Sequence, residues 1–575
     1  MTGRAAFPLA ALLICAGCPS TRAEDNGVAL TPPMGWSSWS ALETGIDEST
    51  IMAIAQVQAS TLKSAGYLYV NVDGGWYLNP DMGVDANGRW IADPSKFPSG
   101  MQALGDSIHA LGLKFGIYVT PGIPKLAVTE NTPVEGTSYH AADIAIPTQT
   151  EVTYLGGTMY ALDYTKPGAQ DFVNSWANLF AAWGVDYLKL DAVGAANIPD
   201  IAAWSSALIQ TGRPIHLELS NNLDPADAST WRQYSNGWRI STDIESYNGT
   251  TLTDWTNVAL RFALEPDWLG APGPGGWNDL DSLEVGSAED GLSSDERQSM
   301  MTFWALSASP LLVGDDLRDL DASGIQLLTN PEVIAIDQNG VDAAPFNTAS
   351  PLQVWAALEP DGSYAVGMFN LSSAAASIDV PWSSVGFAGV ASVRDLWTSS
   401  DLGSFPDGFT ATVNSHGSRL LRVVPGARVF ERLAGTALAG GGAFIGASTV
   451  GARGQRAQSI GLGGTLTFPN ISLDHAGFYE LTISYVNGDA AARNAILTVN
   501  GADSLNLTFP PAGDWAANLT EQGITTSVPM ACGDNKLVLA NPAGPAPDII
   551  GITLQRPRFA GSHLDCGSGH VPSHK

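Results

Sequence analysis

Basic residues are scarce in this chain. Its 575 residues carry 27 Lys and Arg against 57 Asp and Glu, a formal net charge of −30. Phosphate backbones are bound by basic surfaces, so nucleic acid is excluded as a partner, while neutral and cationic ligands stay open. Cysteine is scarcer still, with four in all. Cys15 and Cys18 fall in the N-terminal apolar run, which leaves Cys532 and Cys566 for one C-terminal disulfide. Two cysteines without histidines nearby make a poor zinc site. Long apolar runs are also missing. Ala5 to Ala16 is too short to span a bilayer, and no other stretch is apolar enough to be a transmembrane segment. No repeat or stalk appears, which argues against a surface adhesin.

That short run has a purpose of its own. Arg4 precedes it and a polar stretch follows, as in a secretory signal covering residues 1–23, with Thr21 and Ala23 fitting the small-x-small cleavage rule. The expectation is export. Ala16-Gly17-Cys18 faintly resembles a lipoprotein box, which would place a lipid anchor at Cys18 instead. Aromatics are plentiful, with 17 Trp and 14 Tyr, and flat rings suit stacking on sugars.

From residue 29 to 340, strand-like runs alternate with amphipathic helical ones. Eight runs read as strands: Pro33-Met-Gly-Trp-Ser-Ser-Trp, Tyr67-Leu-Tyr-Val-Asn-Val-Asp, Lys114-Phe-Gly-Ile-Tyr-Val-Thr, Tyr187-Leu-Lys-Leu-Asp, Ile215-His-Leu-Glu-Leu-Ser, Arg239-Ile-Ser-Thr-Asp-Ile, Asp267-Trp-Leu-Gly and Pro310-Leu-Leu-Val-Gly. Met101, Leu104, Ile108 and Leu111 share a helix face ahead of the third; Phe172, Trp176, Leu179 and Phe180 do so ahead of the fourth. Eight such units predict an α/β fold, a (β/α)8 TIM barrel. Short alternating strands at hairpin spacing then predict an antiparallel β domain over 341–426 and a separate β-sandwich over 429–556. A polar tail, 557–575, closes the chain.

Within Trp183-Gly-Val-Asp-Tyr-Leu-Lys-Leu-Asp-Ala-Val-Gly, a buried strand ends on Lys189 and Asp191. At the C-terminal mouth of a barrel such a carboxylate reads as catalytic. Asp243, in Trp238-Arg-Ile-Ser-Thr-Asp-Ile, ends a second run. Two strand-end carboxylates are what glycoside hydrolysis needs. Residues two apart share one side of a strand, so Lys189 is expected to keep Asp191 ionised.

These segments, with Thr31-Pro-Pro-Met-Gly-Trp-Ser-Ser-Trp, Tyr69-Val-Asn-Val-Asp, Gly275-Gly-Trp-Asn-Asp-Leu-Asp-Ser-Leu-Glu-Val-Gly and Asn330-Pro-Glu-Val-Ile-Ala-Ile-Asp-Gln, resemble glycoside hydrolase family 27, the α-galactosidase and α-N-acetylgalactosaminidase family, over roughly 29–426. The resemblance implies a retaining mechanism, with Asp191 as nucleophile and Asp243 as acid/base, the latter raised in pKa in the sugar complex. It makes Trp39, Asp73, Tyr118, Lys189, Ser220 and Arg239 sugar-binding positions. Asp279 and Asp281 lie in a turn expected to cap a helix. Departures from the family stand out. Gly74 replaces a second acid on the O4 and O6 side and is expected to open volume there. Val193 stands where many members have cysteine. Ser220, small, leaves room for an acetamide. The segment Val119 to Ala161 is long enough to wall the site.

The resemblance implies an exo-glycosidase that removes terminal α-D-galactose from oligosaccharides or polysaccharide side chains and requires no cofactor. α-N-acetylgalactosaminidase and β-L-arabinopyranosidase activities are the family alternatives, and a catalytically inactive sugar-binding barrel is the remote one. Gly477-Phe-Tyr-Glu-Leu-Thr-Ile-Ser-Tyr, Val499-Asn-Gly and Gly533-Asp-Asn-Lys-Leu-Val-Leu resemble carbohydrate-binding modules of families 6 and 35. Such modules often hold a structural calcium. Glu431 is present here, but Leu433 and Ile550 replace the expected partners.

Overall fold

The computed structural model describes residues 26–555, apart from 386, 388–389, 426–428, 449, 451–454, 474, 516–517 and 532, together with residues 564–565. The signal-like run and both C-terminal cysteines lie outside the described residues. The chain divides into two compact units. One holds the residues up to Ile378 with Arg394–Asp401 and Thr410–Arg422; the other holds Asp379–Val393, Leu402–Phe409 and the residues from Val423 onward.

The first unit is built on eight short parallel strands: β1 Met34–Ser37, β2 Tyr69–Val72, β3 Lys114–Val119, β4 Val185–Leu190, β5 His216–Leu219, β6 Gly237–Arg239, β7 Trp277–Asp279 and β8 Leu311–Val313. Their order is β7-β6-β5-β4-β3-β2-β1-β8. Leu283, just beyond β7, forms a parallel bridge with Val313 and closes the ring. Most of these strand residues are buried, polar ones such as Asn71, His216 and Glu218 included, so several strands keep an alternating pattern although both faces are covered. Close packing dictates some small residues. A Cβ on Gly237 would lie 1.9 Å from the Glu218 carboxylate.

Helices cover the outside. Asp47 caps Glu48–Thr61 by accepting from Thr50 N, Pro167 opens Pro167–Ala182, and Ser293 with Glu296 forms a capping box on Ser294–Leu306. Met101, Leu104 and Ile108 are buried on Gly100–Ala110, and Phe172, Trp176 and Phe180 on Pro167–Ala182. Among the described residues no helix is long and apolar enough to cross a membrane.

One expected strand is wrong. Asp267-Trp-Leu-Gly is not a strand: Glu265–Trp268 forms a 3-10 turn with Pro266 in its first turn, where the fixed φ of proline suits a helical start. The seventh strand is Trp277–Asp279. The sixth strand ends at Arg239, so Asp243 stands four residues beyond it, in the loop.

In the first unit antiparallel strands follow the barrel, with Leu352–Leu358 paired to Tyr364–Asn370 on one side and Ala344–Pro345 on the other. In the first unit Phe262 and Phe303 stack at 3.8 Å and meet Trp355 and Phe369 edge-on. In the second unit two antiparallel sheets enclose a core that includes Phe468, Leu481, Ile483, Leu497, Leu537 and Ile552. One sheet centres on the pairing of His475–Val486 with Asp548–Gln555 and Gln522–Met530, the other on Thr465–Leu473 and Arg493–Val499 flanking Gly533–Ala540.

Candidate active site

A cavity of about 270 Å³ opens where the barrel strands end. It is lined by Trp39, Asp73, Tyr118, Tyr154, Leu155, Lys189, Asp191, Asn221, Asp243 and Tyr247. Strand direction explains the gathering. Trp39 follows β1, Asp73 follows β2, Tyr118 lies near the end of β3, Asp191 follows β4, Asn221 follows β5, and Asp243 follows β6. A parallel ring sends all of these to one rim.

Asp73 and Lys189 form one polar side. Lys189 Nζ donates to Asp73 Oδ2 at 2.9 Å, and the same carboxylate accepts from Asn71 Nδ2 and, through Oδ1, from Gly74 N at 2.7 Å. Burial pulls the Lys189 ammonium down, but Asp73 and then Asp191 outweigh it and hold it above its ordinary value. The lysine is therefore charged, but its direct partner is Asp73; it acts on Asp191 through space. Asp191 is buried, and its Oδ1 takes no hydrogen bond from the described residues. Burial first, and then the nearby Asp191 charge, push the Tyr118 hydroxyl well above its usual range, so Tyr118 stays protonated beside the carboxylate.

Asp243 is tied differently. Its Oδ1 is paired with Arg239 Nη2 and accepts from Asn221 Nδ2 at 3.2 Å; its Oδ2 accepts from the Tyr247 hydroxyl at 2.7 Å, which in turn accepts from Trp39 Nε1 at 2.8 Å. Burial works to raise this carboxyl, but Arg239 and the Tyr247 hydroxyl hold it down at about 2. That is the opposite of the tuning a general acid needs. Arg239 also reaches Asp281 at 3.3 Å, and Asp281 accepts from Ile244 N at 2.8 Å. Asp281 thus braces the Asp243 loop from the residues after β7 rather than capping a helix. Asp279 ends β7, buried, and burial and then Asp281 raise it to about 6.

Ser220 does not face the large cavity. It borders a much smaller space inside the ring with Glu218, Arg239, Asp279 and Asp281, and its hydroxyl has no partner among the described residues. Asn221 occupies the cavity wall instead. Nor does Gly74 leave an opening. A Cβ there would lie 2.5 Å from Leu155 Cδ1 and 3.5 Å from Trp39 Cζ3. Leu155 comes from the long segment after β3, which folds into a three-stranded antiparallel sheet of Ile123–Pro124, Ala145–Glu151 and Met159–Leu162. Its turn carries Tyr154 and Leu155 to the cavity. The acid expected beside Asp73 is therefore replaced by an apolar wall supplied from elsewhere.

Sequence reasoning missed Asn221, Tyr247, Tyr154 and Leu155. The only signal was weak: aromatic or amide residues a few positions past a strand end. One set of acidic groups brings its oxygens within 4.8 Å of one another among the described residues, namely Asp243, Glu245 and Asp281. It lies in the barrel, not in the C-terminal sandwich, and Arg239 already balances two of its members.

Paired carboxylates on barrel loops, sharing one cavity with an aromatic wall, are the equipment of a glycoside hydrolase, and the likeness of this chain to known proteins falls in that class. Residues 28–211 match the family described as Melibiase, residues 156–339 that described as Alpha galactosidase A, and residues 349–423 the Alpha galactosidase C-terminal beta sandwich domain. An α-galactosidase of Coffea arabica is 35% identical over 409 residues, 70% of this chain and 95% of that one. The GH27 β-L-arabinopyranosidase of Geobacillus stearothermophilus superposes with a TM-score of 0.65 at 32% identity, covering 69% of this chain and 97% of that one. The α-galactosidase I of Mortierella vinacea gives 0.57 at 28%, covering 70% and 98%. The chain belongs to the α-galactosidase family, glycoside hydrolase family 27.

Proposed function

We propose that this protein is a retaining exo-glycosidase that removes terminal α-D-galactosyl residues from oligosaccharides or polysaccharide side chains. The observation that carries the reading is Asp191, a buried carboxylate with an uncommitted oxygen, opening on the same cavity as Asp243. Asp191 attacks the anomeric carbon while Asp243 protonates the leaving oxygen; water, deprotonated by Asp243, then releases the sugar. Both steps run on carboxylates and call for no cofactor. Lys189 and Asp73 offer a fixed donor and acceptor to ring hydroxyls, and Trp39 a flat face. The test is hydrolysis of p-nitrophenyl α-D-galactopyranoside followed by NMR. The first-formed galactose should be the α-anomer; first-formed β-anomer would exclude double displacement.

Leu155 favours a second reading. α-D-Galactopyranosides and β-L-arabinopyranosides differ by one exocyclic hydroxymethyl group, and an apolar wall gives such a group no hydrogen bond. A methylene of a pentose would pack there without loss. Gly74→Asp, combined with Leu155→Ala to clear the space, should shift preference toward galactoside. A charged hydrogen bond restored to a hydroxyl contributes about 1.5–3 kcal/mol, so the ratio of kcat/KM for the two p-nitrophenyl glycosides should move by about tenfold or more. If the two rates move together, this wall does not face the hydroxymethyl group.

The C-terminal sandwich reads as a carbohydrate-binding module. Trp515 keeps 39% of its surface exposed while its Nε1 is held by Asp489 at 2.6 Å, with the Arg493 guanidinium 4.9 Å from the ring centre. A fixed, accessible indole is a stacking platform for a pyranose. Trp515→Ala, and deletion of 429–575, should leave small-glycoside kinetics unchanged and weaken retention on galactose-bearing polysaccharide. Unchanged retention in both would remove the binding role. Export rests on residues 1–23.

A further inference from the structure

Asp243 and Glu245 stand two residues apart in the loop after β6, and their surroundings are opposite. Asp243 takes three donors, Arg239, Asn221 and Tyr247. Glu245 takes one, the Ser40 hydroxyl on Oε1 at 2.6 Å, while its Oε2 is shut from solvent and has no partner among the described residues. Around it lie Asp243, Asp281, Arg239, Arg261, Tyr247 and Glu284, and Glu284 also approaches the Ser40 hydroxyl that donates to Glu245. Glu284 is itself fully buried. Asp243, Glu245 and Asp281 bring oxygens within 4.8 Å of one another, close enough for one bridging water.

A general acid has to hold a proton before the leaving oxygen arrives. Asp243, wrapped in donors, has no place for one in the free protein. We infer that Glu245 is the proton store of the acid/base: in the free protein it carries the proton that Asp243 later delivers. This rests on the reading of Asp243 as acid/base. Glu245 touches no substrate in this scheme; it is a positioning residue that acts through Asp243. When a sugar hydroxyl engages Arg239, Asp243 loses its guanidinium partner. The O–H bond on Glu245 breaks and an O–H bond on Asp243 forms, with no proton taken from solvent. Asp243 then protonates the leaving oxygen. In the second step it removes a proton from water, and that proton returns to Glu245 as Arg239 reseats. Burial first, then Asp281, raise Glu245 to about 7, while Asp243 lies at about 2. The opposite tuning favours the proton on Glu245 over Asp243.

The experiment is the pH profile of kcat/KM for methyl and p-nitrophenyl α-D-galactopyranosides. The wild-type alkaline limb should fall near the pH at which the pair loses its proton. Glu245→Gln keeps the acceptor for Ser40 but cannot pass a proton, so its limb on the methyl glycoside should move toward acid by at least about two pH units. That is at least about a hundredfold loss at neutral pH, with a much smaller loss on the p-nitrophenyl glycoside. Glu245→Asp should restore most of the limb. A uniform drop on both substrates with the limb in place would mark a structural role and overturn the inference. In the wild type, calorimetry of D-galactose binding at about pH 5 in buffers of different ionisation enthalpy should find almost no proton uptake, and uptake of about one proton would overturn it without any variant. Failure of the wild type to hydrolyse either glycoside would count against the functional reading instead.

Discussion

Asp191→Asn should abolish turnover, by on the order of a thousandfold or more, and leave the fold intact. The amide is nearly isosteric with the carboxylate and does not disturb the backbone, whose Asp191 N donates to Val119 O at 2.9 Å and ties the residue to the end of β3. It cannot form the bond to the anomeric carbon. Nor is there a second carboxylate ready to replace it. Asp73 is held by Lys189, Asn71 and the Gly74 amide, and Asp243 is held by three donors. A 2-deoxy-2-fluoro glycoside with a good leaving group should label Asp191 in the wild type, and peptide mass spectrometry would locate it. A label on any other residue, or a variant that keeps more than a few per cent of activity, would remove Asp191 from the role.

The barrel could be read from the chain because short strand-like stretches with apolar residues at every second place or denser each end on a polar residue. β2, β3, β4 and β5 are followed by Asp73, Thr120, Asp191 and Ser220. β7 escaped for the opposite reason. It has three residues, Trp277, Asn278 and Asp279, of which Asn278 is buried only because it accepts from Trp238 Nε1 and donates to Glu265. A buried asparagine looks like a turn until its partners are known, and they lie 40 and 13 positions away.

The same division runs through the site. Asp73, Lys189, Asp191 and Arg239 lie in a strand or within one residue of its end, so strand position alone places them. Tyr247, Leu155 and Asn221 reach the cavity through loops whose course is fixed by distant contacts. Leu155 is the clearest case. Nothing in Thr153-Tyr-Leu-Gly-Gly marks it, and its place against Gly74 depends on the pairing of Ala145–Glu151 with Met159–Leu162. Gly74 alone signalled a vacancy; only the fold shows that a leucine 81 positions on fills it. Charge state was equally hidden. That Asp243 is an acid was visible, but that Arg239 keeps it ionised in the free protein depends on a loop that curls back by four residues after β6.

Asp243→Ala should separate substrates by leaving group. A methyl or sugar aglycone departs only as it is protonated, so its hydrolysis should fall by about a hundred- to ten-thousandfold. A dinitrophenyl group needs little protonation, so the first step with such a glycoside should survive and the sugar should accumulate on Asp191. The variant then stalls at the second step, because water no longer has a base. Azide needs none. It should restore turnover and give a glycosyl azide of retained anomeric configuration, since it enters from the side that Asp243 vacates. Arg239 keeps Asp281 as partner in this variant, so the loop should hold its place and the loss should be one of chemistry. Equal loss on all substrates with no response to azide would sink the assignment. Azide rescue giving the inverted product would place the lost group on the nucleophile's side instead, and would exchange the roles of Asp191 and Asp243.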